Sequence, residues 1–401
     1  MIAVAIFAGT YLVMALGRLP GYRLDRAGAA LLGASLMVGF GVLDLSQAFA
    51  AIDMRTITLL LGVMIVVANL RLSGFFRLAT AFVVARARHP LALLIAVVAV
   101  TGTLSAFLVN DTVCLVMTPL VLDLVTRLKR QPLPYLLAVA MASNAGSVAT
   151  ITGNPQNMMI GAFSHLTYID FAAALAPVAL VALALTALLI VLMHRDEFFG
   201  SGRLEPLPPR PVVYHRSLVI KTLVVTLGMV VLFFLGLPVA RVAILAGALL
   251  LVTRRVKPEK VYFDIDWPLL LMFAGLFIVV AGLEQAVIGP DTVAAIGRLN
   301  LSGVPILSVV TAVLSNLVSN VPAVLVLRPF LANFADPDRA WLVVAMASTL
   351  AGNFALVGSV ANLIVVERAR REGVPIGFWS YFRVGAPLTV LTIAFGAWWL
   401  S

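Results

Sequence analysis

The chain reads as long apolar runs parted by short polar interruptions. Runs near residues 2–17, 27–43, 56–72, 171–193, 218–236, 239–253, 267–283 and 379–400 reach or approach the roughly 17–25 residues a helix needs to cross a bilayer. Two further pairs of runs, 90–108 with 112–126 and 303–319 with 321–335, follow each other with no room for an ordinary loop. They predict re-entrant hairpins, the first turning at Asn110-Asp111. The stretches 135–163 and 340–367 are apolar at both ends and polar in the middle, which predicts helices broken halfway. Segments 74–88 and 290–299 predict amphipathic helices at the interface. Only 195–217, with Pro206, Pro208, Pro209 and Pro211 among mixed charges, reads as a linker, so the chain divides into halves 1–194 and 218–401.

The first break runs Ser143-Asn144-Ala145-Gly146-Ser147-Val148-Ala149-Thr150-Ile151-Thr152-Gly153-Asn154-Pro155-Gln156-Asn157. It exposes backbone N–H and C=O groups at membrane depth, which is tolerated only where protein or a water-filled cavity satisfies them. Secondary transporters hold ions and substrate at such half-helix ends. The design recurs. Ala140-Met141-Ala142-Ser143 is echoed by Ala345-Met346-Ala347-Ser348, and at the same offset Gly153 matches Gly358 and Asn157 matches Asn362. Elsewhere Asp53 pairs with Asp266, Ser105 with Ser315, Asn110 with Asn320 and Pro119 with Pro329. The turn Leu16-Gly17-Arg18-Leu19-Pro20 resembles Leu235-Gly236-Leu237-Pro238. Chance similarity between apolar helices explains matched Leu and Val but not matched Asn, Gly and Ser, so the chain is an internal repeat.

Composition agrees with the pattern. Of 401 residues 62% are hydrophobic and 11% charged, where a soluble domain carries about 25% charge. A formal charge of +10 would suggest nucleic acid in a soluble protein; here it reads as membrane topology, with no nucleic-acid partner. The single cysteine, Cys114, excludes an intramolecular disulfide and a thiolate metal cluster. Met1–Gly17 lacks the basic start of a signal peptide, and Arg18, Arg23 and Arg26 follow its apolar run. Most other basic residues cluster after span 3, after the first hairpin, in the linker, at Arg254–Lys260 and at Arg368–Arg383. One topology makes all of these groups cytoplasmic, provided each hairpin enters and leaves on one side. Each half then has five crossings, including its broken helix, plus a re-entrant hairpin. The odd number inverts the second half. The expected fold is an all-α polytopic membrane protein of two inverted-topology repeats, in a bacterial inner membrane with both termini periplasmic.

The stretch Ser143-Asn144…Thr152-Gly153-Asn154-Pro155-Gln156-Asn157, with Asn110-Asp111-Thr112 before it and Ser319-Asn320-Val321-Pro322 and Ser348-Thr349…Gly358-Ser359-Val360-Ala361-Asn362 after it, resembles the ion transporter superfamily with citrate-transporter-like domains. The resemblance covers nearly the whole chain. It is nearest to the arsenite-efflux and anion-permease branch, with divalent-anion/sodium symporters and D-type sodium/proton antiporters as relatives. It implies two cation sites framed by hairpin tips and broken helices, substrate between them, a transport domain sliding like an elevator on a scaffold, and a homodimer. The implied site comprises Asn110, Asp111, Thr112, Ser143, Asn144, Gly153, Asn154, Asn157, Ser319, Asn320, Ser348, Thr349, Gly358 and Asn362, with Na⁺ at Asn110, Asp111 and Asn320. The coupling ion is H⁺ or Na⁺, and no other cofactor is implied. The symporters' Ser-Asn-Thr tip is replaced here by Val109-Asn110-Asp111 and Ser319-Asn320-Val321.

Weighed singly, Asp111 is an acid in an apolar setting, a functional position by default, and it either carries a proton, coordinates Na⁺ or caps a helix. The asparagines are turn or break residues whose amide oxygens suit a cation, while helix N-termini beside them suit an anion. Gly146, Gly153 and Gly358 permit close backbone approach. Arg328 either attracts an anion, balances Asp111 or, the preferred reading, snorkels to the outer surface. Asp123 precedes Arg127 by one helical turn and pairs with it. His89, His165, His194 and His215 fall in predicted loops, against a histidine proton relay. An intramembrane enzyme is disfavoured because no zinc-protease motif, nucleophile motif or paired intramembrane aspartates occur. A channel is disfavoured because no filter sequence repeats. The function expected is a secondary active transporter of a small anion or oxyacid, with a sodium/proton antiporter as the alternative.

Overall fold

The computed structural model describes residues 1–16, 24–86, 89–199, 204, 214–253, 255–287, 303–331 and 334–401. Its regular elements are all helical. The expected amphipathic segment 290–299, the turn at residues 17–20 and most of the proline-rich linker lie outside the described residues.

The first half runs α1 (Ile2–Leu16), α2 (Arg26–Gly39), α3 (Leu45–Ala51), α4 (Met54–Ser73), α5 (Phe75–Arg86), the hairpin arms α6 (Pro90–Phe107) and α7 (Asn110–Arg127), the broken helix α8 (Pro132–Ser147) and α9 (Pro155–Phe163), α10 (Tyr168–Met193) and α11 (Arg195–Phe199). The second half repeats the order with α12 (Arg216–Phe234), α13 (Val239–Leu251), α14 (Pro258–Phe263), α15 (Trp267–Val287), the hairpin arms α16 (Val304–Val318) and α17 (Asn320–Leu331), the broken helix α18 (Pro337–Ala351) and α19 (Val360–Arg371), and α20 (Phe378–Trp399). Among the described residues six helices are long and apolar enough to span a bilayer, and the hairpin arms α16 and α17 are among the shorter apolar ones.

Local chemistry sets the helix starts. Asp25 accepts from Gly28 N at 2.8 Å, Asp53 from Arg55 N at 2.8 Å, and Asp336 from Arg339 N at 3.0 Å. Each carboxylate satisfies an orphan N–H at the positive end of a helix. The short helices α3 and α14 were not expected from periodicity. The first is signalled by a capping box in which Asp44 and Gln47 bond each other's backbone N–H.

The helices sort into two bodies. In one, α2 packs on α15 and α4 on α13, each helix pairing with one from the other half. Gly62 lies so close to the backbone of Ala243 that a Cβ would come within 2.5 Å of it, and Gly275 meets Ala30 in the same way at 2.6 Å. Only glycine fits these two reciprocal crossings. The other body gathers both hairpins and both broken helices, with α8 against α6 and α10, α18 against α16 and α20, and α7 against α19. The bodies meet where α9 touches α4 and α17 touches α15. There Phe163 of α9 packs edge-on against Phe277 of α15 with ring centroids 6.1 Å apart.

One expectation changes. Asn110 and Asp111 are the first turn of α7 rather than the connecting loop, which is Leu108-Val109. The half-buried Arg328 guanidinium stacks over the Phe163 ring at 4.2 Å, and it lines neither central cavity. Arg26, counted among the topology charges, lines the main cavity. Asp123 and Arg127 do pair, at 3.7 Å. The start of the linker is tied down by Glu197, whose carboxylate accepts from Arg130 Nε at 2.7 Å and Tyr135 Oη at 3.0 Å.

Candidate functional site

Each break is closed by an asparagine. Asn157 Nδ2 donates to the carbonyls of Ser147 and Thr150 at 3.0 and 3.1 Å. Its repeat mate Asn362 donates to Gly352 and Ala355 at 2.7 and 3.3 Å, the matching positions of the second half. The carbonyls orphaned at the end of α8 and α18 are thus satisfied inside the protein, as membrane depth demands. The restarted helices are capped by Asn154, which accepts from Asn157 N at 2.9 Å, and by Ser359, which accepts from Ala361 N at 3.2 Å. Gly153 is needed because a Cβ would lie 2.1 Å from the Ser147 carbonyl oxygen, and Gly146 because one would lie 2.1 Å from that of Gly102.

The two breaks are stitched together. Asn154 Nδ2 donates to Thr349 Oγ1 at 3.1 Å, and reciprocally Ser359 Oγ donates to Asn144 Oδ1 at 3.1 Å. Gln156 also donates to Thr349, at 3.2 Å. Asn144 Nδ2 donates to Asn353 Oδ1 at 2.9 Å and to Asn362 Oδ1 at 3.1 Å. These groups are essentially out of contact with solvent, and each exists as a satisfied pair because an unpaired buried polar group costs about 1–3 kcal/mol.

The polarity of this chain of amides is forced. Backbone carbonyls only accept, so Asn362 and Asn353, which donate to Gly352 and Met141, must turn their oxygens toward Asn144. Asn144 therefore presents its nitrogen to them and its oxygen to the first hairpin, where Asn110 Nδ2 donates to it at 3.1 Å. What is left over is the side-chain amide oxygen of Asn110, Oδ1, buried and without a partner.

Asn110 lines a cavity of about 380 Å³ whose wall contains the first-turn residues of six helices. Arg26 and Ala27 begin α2, Asn110 and Asp111 begin α7, and Pro155 and Gln156 begin α9. Pro268 and Leu269 lie in the first turn of α15, while Asn320 and Val321 begin α17 and Val360 begins α19. Six N-terminal dipole ends converge on one space, each equivalent to about half a positive charge. Asp25 and Asp266 cap two of them, the latter accepting from Leu269 N at 3.0 Å. A smaller cavity of about 90 Å³ adjoins Asp111, Thr112, Arg71, Asp264 and Asp266. Arg71 and Asp264 form an ion pair there.

The residues expected from sequence do not all take one role. Asn110, Asp111, Ser319 and Asn320 line the main cavity, and Thr112 the small one. Asn144, Asn154, Asn157, Thr349 and Asn362 form the amide network behind it. Ser143 donates to the Asn110 carbonyl at 3.4 Å, and Ser348 donates to Ala345 while its own carbonyl accepts from Ser315. Gly358 sits in the second break with a looser neighbourhood than Gly153. Sequence reasoning missed Asn353, whose repeat mate is Val148, and the wall formed by Asp25, Arg26 and Asp266. Gln156 and Ser359 stood inside the quoted motifs, and Ser359 matching Asn154 was the available signal.

Comparison with known proteins accords with this architecture. A family model described as citrate transporter matches residues 10–351. The chain is 31% identical to the silicon efflux transporter LSI3 of Oryza sativa, over 93% of this chain and 92% of that protein. An uncharacterized transporter of Mycobacterium tuberculosis is 32% identical over 100% and 98%, and the putative transporter arsB of Dictyostelium discoideum 24% identical over 93% and 86%. The crystal structure of the Alcanivorax borkumensis YdaH transporter shares the fold with a TM-score of 0.64 at 14% identity, covering 100% of this chain and 96% of that one. Multi-pass in build and a transporter rather than an enzyme, this chain belongs to the citrate transporter family.

Proposed function

We propose that the protein is a secondary active transporter of a small anion or oxyacid, coupled to H⁺ or Na⁺. The observation that carries it is the convergence of six helix N-termini on one cavity beside an unpartnered amide oxygen and an acid. The dipole ends suit an anionic or polarised oxyacid, as helix termini do for phosphate and carboxylate ligands. The Asn110 oxygen with Asp111 suits a cation. Asn320 is the weaker candidate for Na⁺, since its oxygen already accepts from Ser315 at 2.7 Å. That relatives are named for silicon efflux and as arsB favours an inorganic oxyacid over a carboxylate.

The body holding hairpins and breaks is the transport domain and the α2/α15–α4/α13 body the scaffold. In the inverted topology the starts of α2 and α15 lie at the cytoplasmic membrane surface, while the breaks lie at mid-depth in their own body. The main cavity joins the two levels, so the site stands lowered toward the cytoplasm. On the opposite side the Phe163–Phe277 contact, with Arg328 over Phe163, seals the passage. Lys221 is then cytoplasmic, and Asp336 and both termini periplasmic. Cysteine labelling on a Cys114→Ser background tests this, and labelling of positions 221 and 336 from the same side would break the inverted repeat.

The functional test is flux. Purified protein in liposomes is given arsenite, silicate, phosphate or a carboxylate under imposed proton and sodium gradients. Gradient-driven accumulation of one of them is expected. A passive current or a chemical product without flux overturns the reading. Sodium–proton exchange indifferent to every anion would instead make the protein an antiporter, the reading favoured by the carboxylates Asp25, Asp111 and Asp266 around the cavity.

A further inference from the structure

The two cavities share residues from both bodies. Asp111, on the first hairpin, and Asp266, at the start of α15, each line both of them. The Asp266 carboxylate is close enough to act electrostatically on Asp111. The described charged groups lining the two spaces are Asp25, Asp111, Asp264 and Asp266 against Arg26 and Arg71. Arg71 is committed to Asp264, and Asp25 and Asp266 each spend one oxygen on a helix cap. Carboxylates outnumber guanidinium groups four to two, and the helix N-termini that Asp25 and Asp266 cap offset the charge of those two acids rather than that of Asp111.

Two acceptor oxygens beside these acids point to a missing partner. The Asn110 amide oxygen is buried, unpartnered, and oriented by the fixed polarity of the amide chain, with Asn110 itself 4% exposed. The second oxygen of Asp264 is likewise buried and unpartnered, on a side chain 6% exposed. Both residues line these cavities. Acceptors without donors beside an excess of carboxylates are matched by a cation and not by an anion.

Resting on the transporter reading above, we propose that Asp266 of the scaffold is the second carboxylate of a monovalent-cation site shared with Asp111, a site that exists only while the transport domain stands in the position seen here. The repeat gives the reason for the restriction. The mate of Asp266 is Asp53, and the mate of Asp111 is Val321. The reciprocal, outward arrangement would therefore bring Asp53 toward a valine, and no pair of acids forms. A cation held between Asp111 and Asp266 fastens the mobile body to the scaffold, and its departure leaves two like charges facing each other, which favours release of the lowered state.

The test uses purified full-length protein with ²²Na⁺ as one probe and, in sodium-free choline medium, proton uptake on acidification as the other. Whichever ion the wild type binds, Asp266→Asn and Asp266→Ser should weaken it by roughly tenfold, the scale of losing one charged ligand in a partly solvated site. Both substitutions keep the helix cap at Leu269, so a folding defect is not the expected cause. Asp266→Glu should retain affinity, and Asp53→Asn, the same change at the repeat mate, should leave it unaltered. Unchanged binding in Asp266→Asn and Asp266→Ser, with loss in Asp111→Asn, overturns the shared site while leaving a cation on Asp111 alone. Unchanged binding in Asp111→Asn as well, or no binding of either ion by the wild type, removes both this site and the cation coupling on which it rests.

Discussion

The two hairpin tips occupy equivalent places in the repeat and are chemically unlike. At the first, a relaxed two-residue turn delivers Asn110 and Asp111 into the first turn of α7, and the Asn110 oxygen is left free because Asn144 takes its nitrogen. At the second, one residue makes the turn: Ser319 has φ 81° and ψ 159°, a region essentially reserved for glycine. Asn320 follows with its oxygen occupied by Ser315, and Val321 stands where the first tip has its acid. The residue behind the tips differs too, Asn144 in the first half and Thr349 in the second. A repeat can thus keep its backbone plan while specialising one copy, since helix breaks and hairpins depend on the chain path and ion chemistry depends on single side chains.

The largest effect should come from removing the acid that only one tip has. Asp111→Asn keeps shape and hydrogen-bonding capacity, and it should abolish gradient-driven transport in liposomes with folding near normal. Wild-type accumulation with unchanged pH and sodium dependence would reduce Asp111 to a capping residue. Val321→Asp in the same background moves the acid to the other tip. It should not restore coupling, because the Asn320 oxygen beside it is already engaged; full rescue would show the tips to be interchangeable.

The residue behind each tip separates next. Asn144→Ala removes four buried hydrogen bonds and should cost roughly 3–4 kcal/mol in thermal unfolding, at about 1 kcal/mol net for each bond. Thr349→Ala, with fewer and longer bonds, should cost about half as much. Equal losses would mean that the network does not lean on its first-half member. The smallest effect concerns the strained turn. Ser319→Gly should stabilise the protein by about 1 kcal/mol, measured by the same unfolding assay, through relief of the backbone at φ 81°. A loss of stability would show that the serine hydroxyl has a use that outweighs the strain.

Much of this was legible in the chain, and the misses have a common cause. The broken helices were visible because Gly, Pro and Asn interrupt apolar runs, and their symmetry because Asn157 and Asn362 recur in register. The hairpin turn was misplaced by two residues, since Asn and Asp favour loops and helix starts alike. Asn353 had no mate to flag it.

The sequence by itself determined the helices, their breaks, the internal repeat and the membrane setting. All four follow from hydrophobic period and from backbone groups that cannot be left unpaired in lipid, which are local properties. Only the tertiary structure decided that Asn144 meets Asn353 and Asn362 across more than half the chain, that Asn110 is left with a free oxygen, and that Asp266 stands beside Asp111. Hydrogen bonds and charge contacts act over a few ångströms and in fixed directions, so their partners are chosen when distant segments pack and not by the order in which residues are joined.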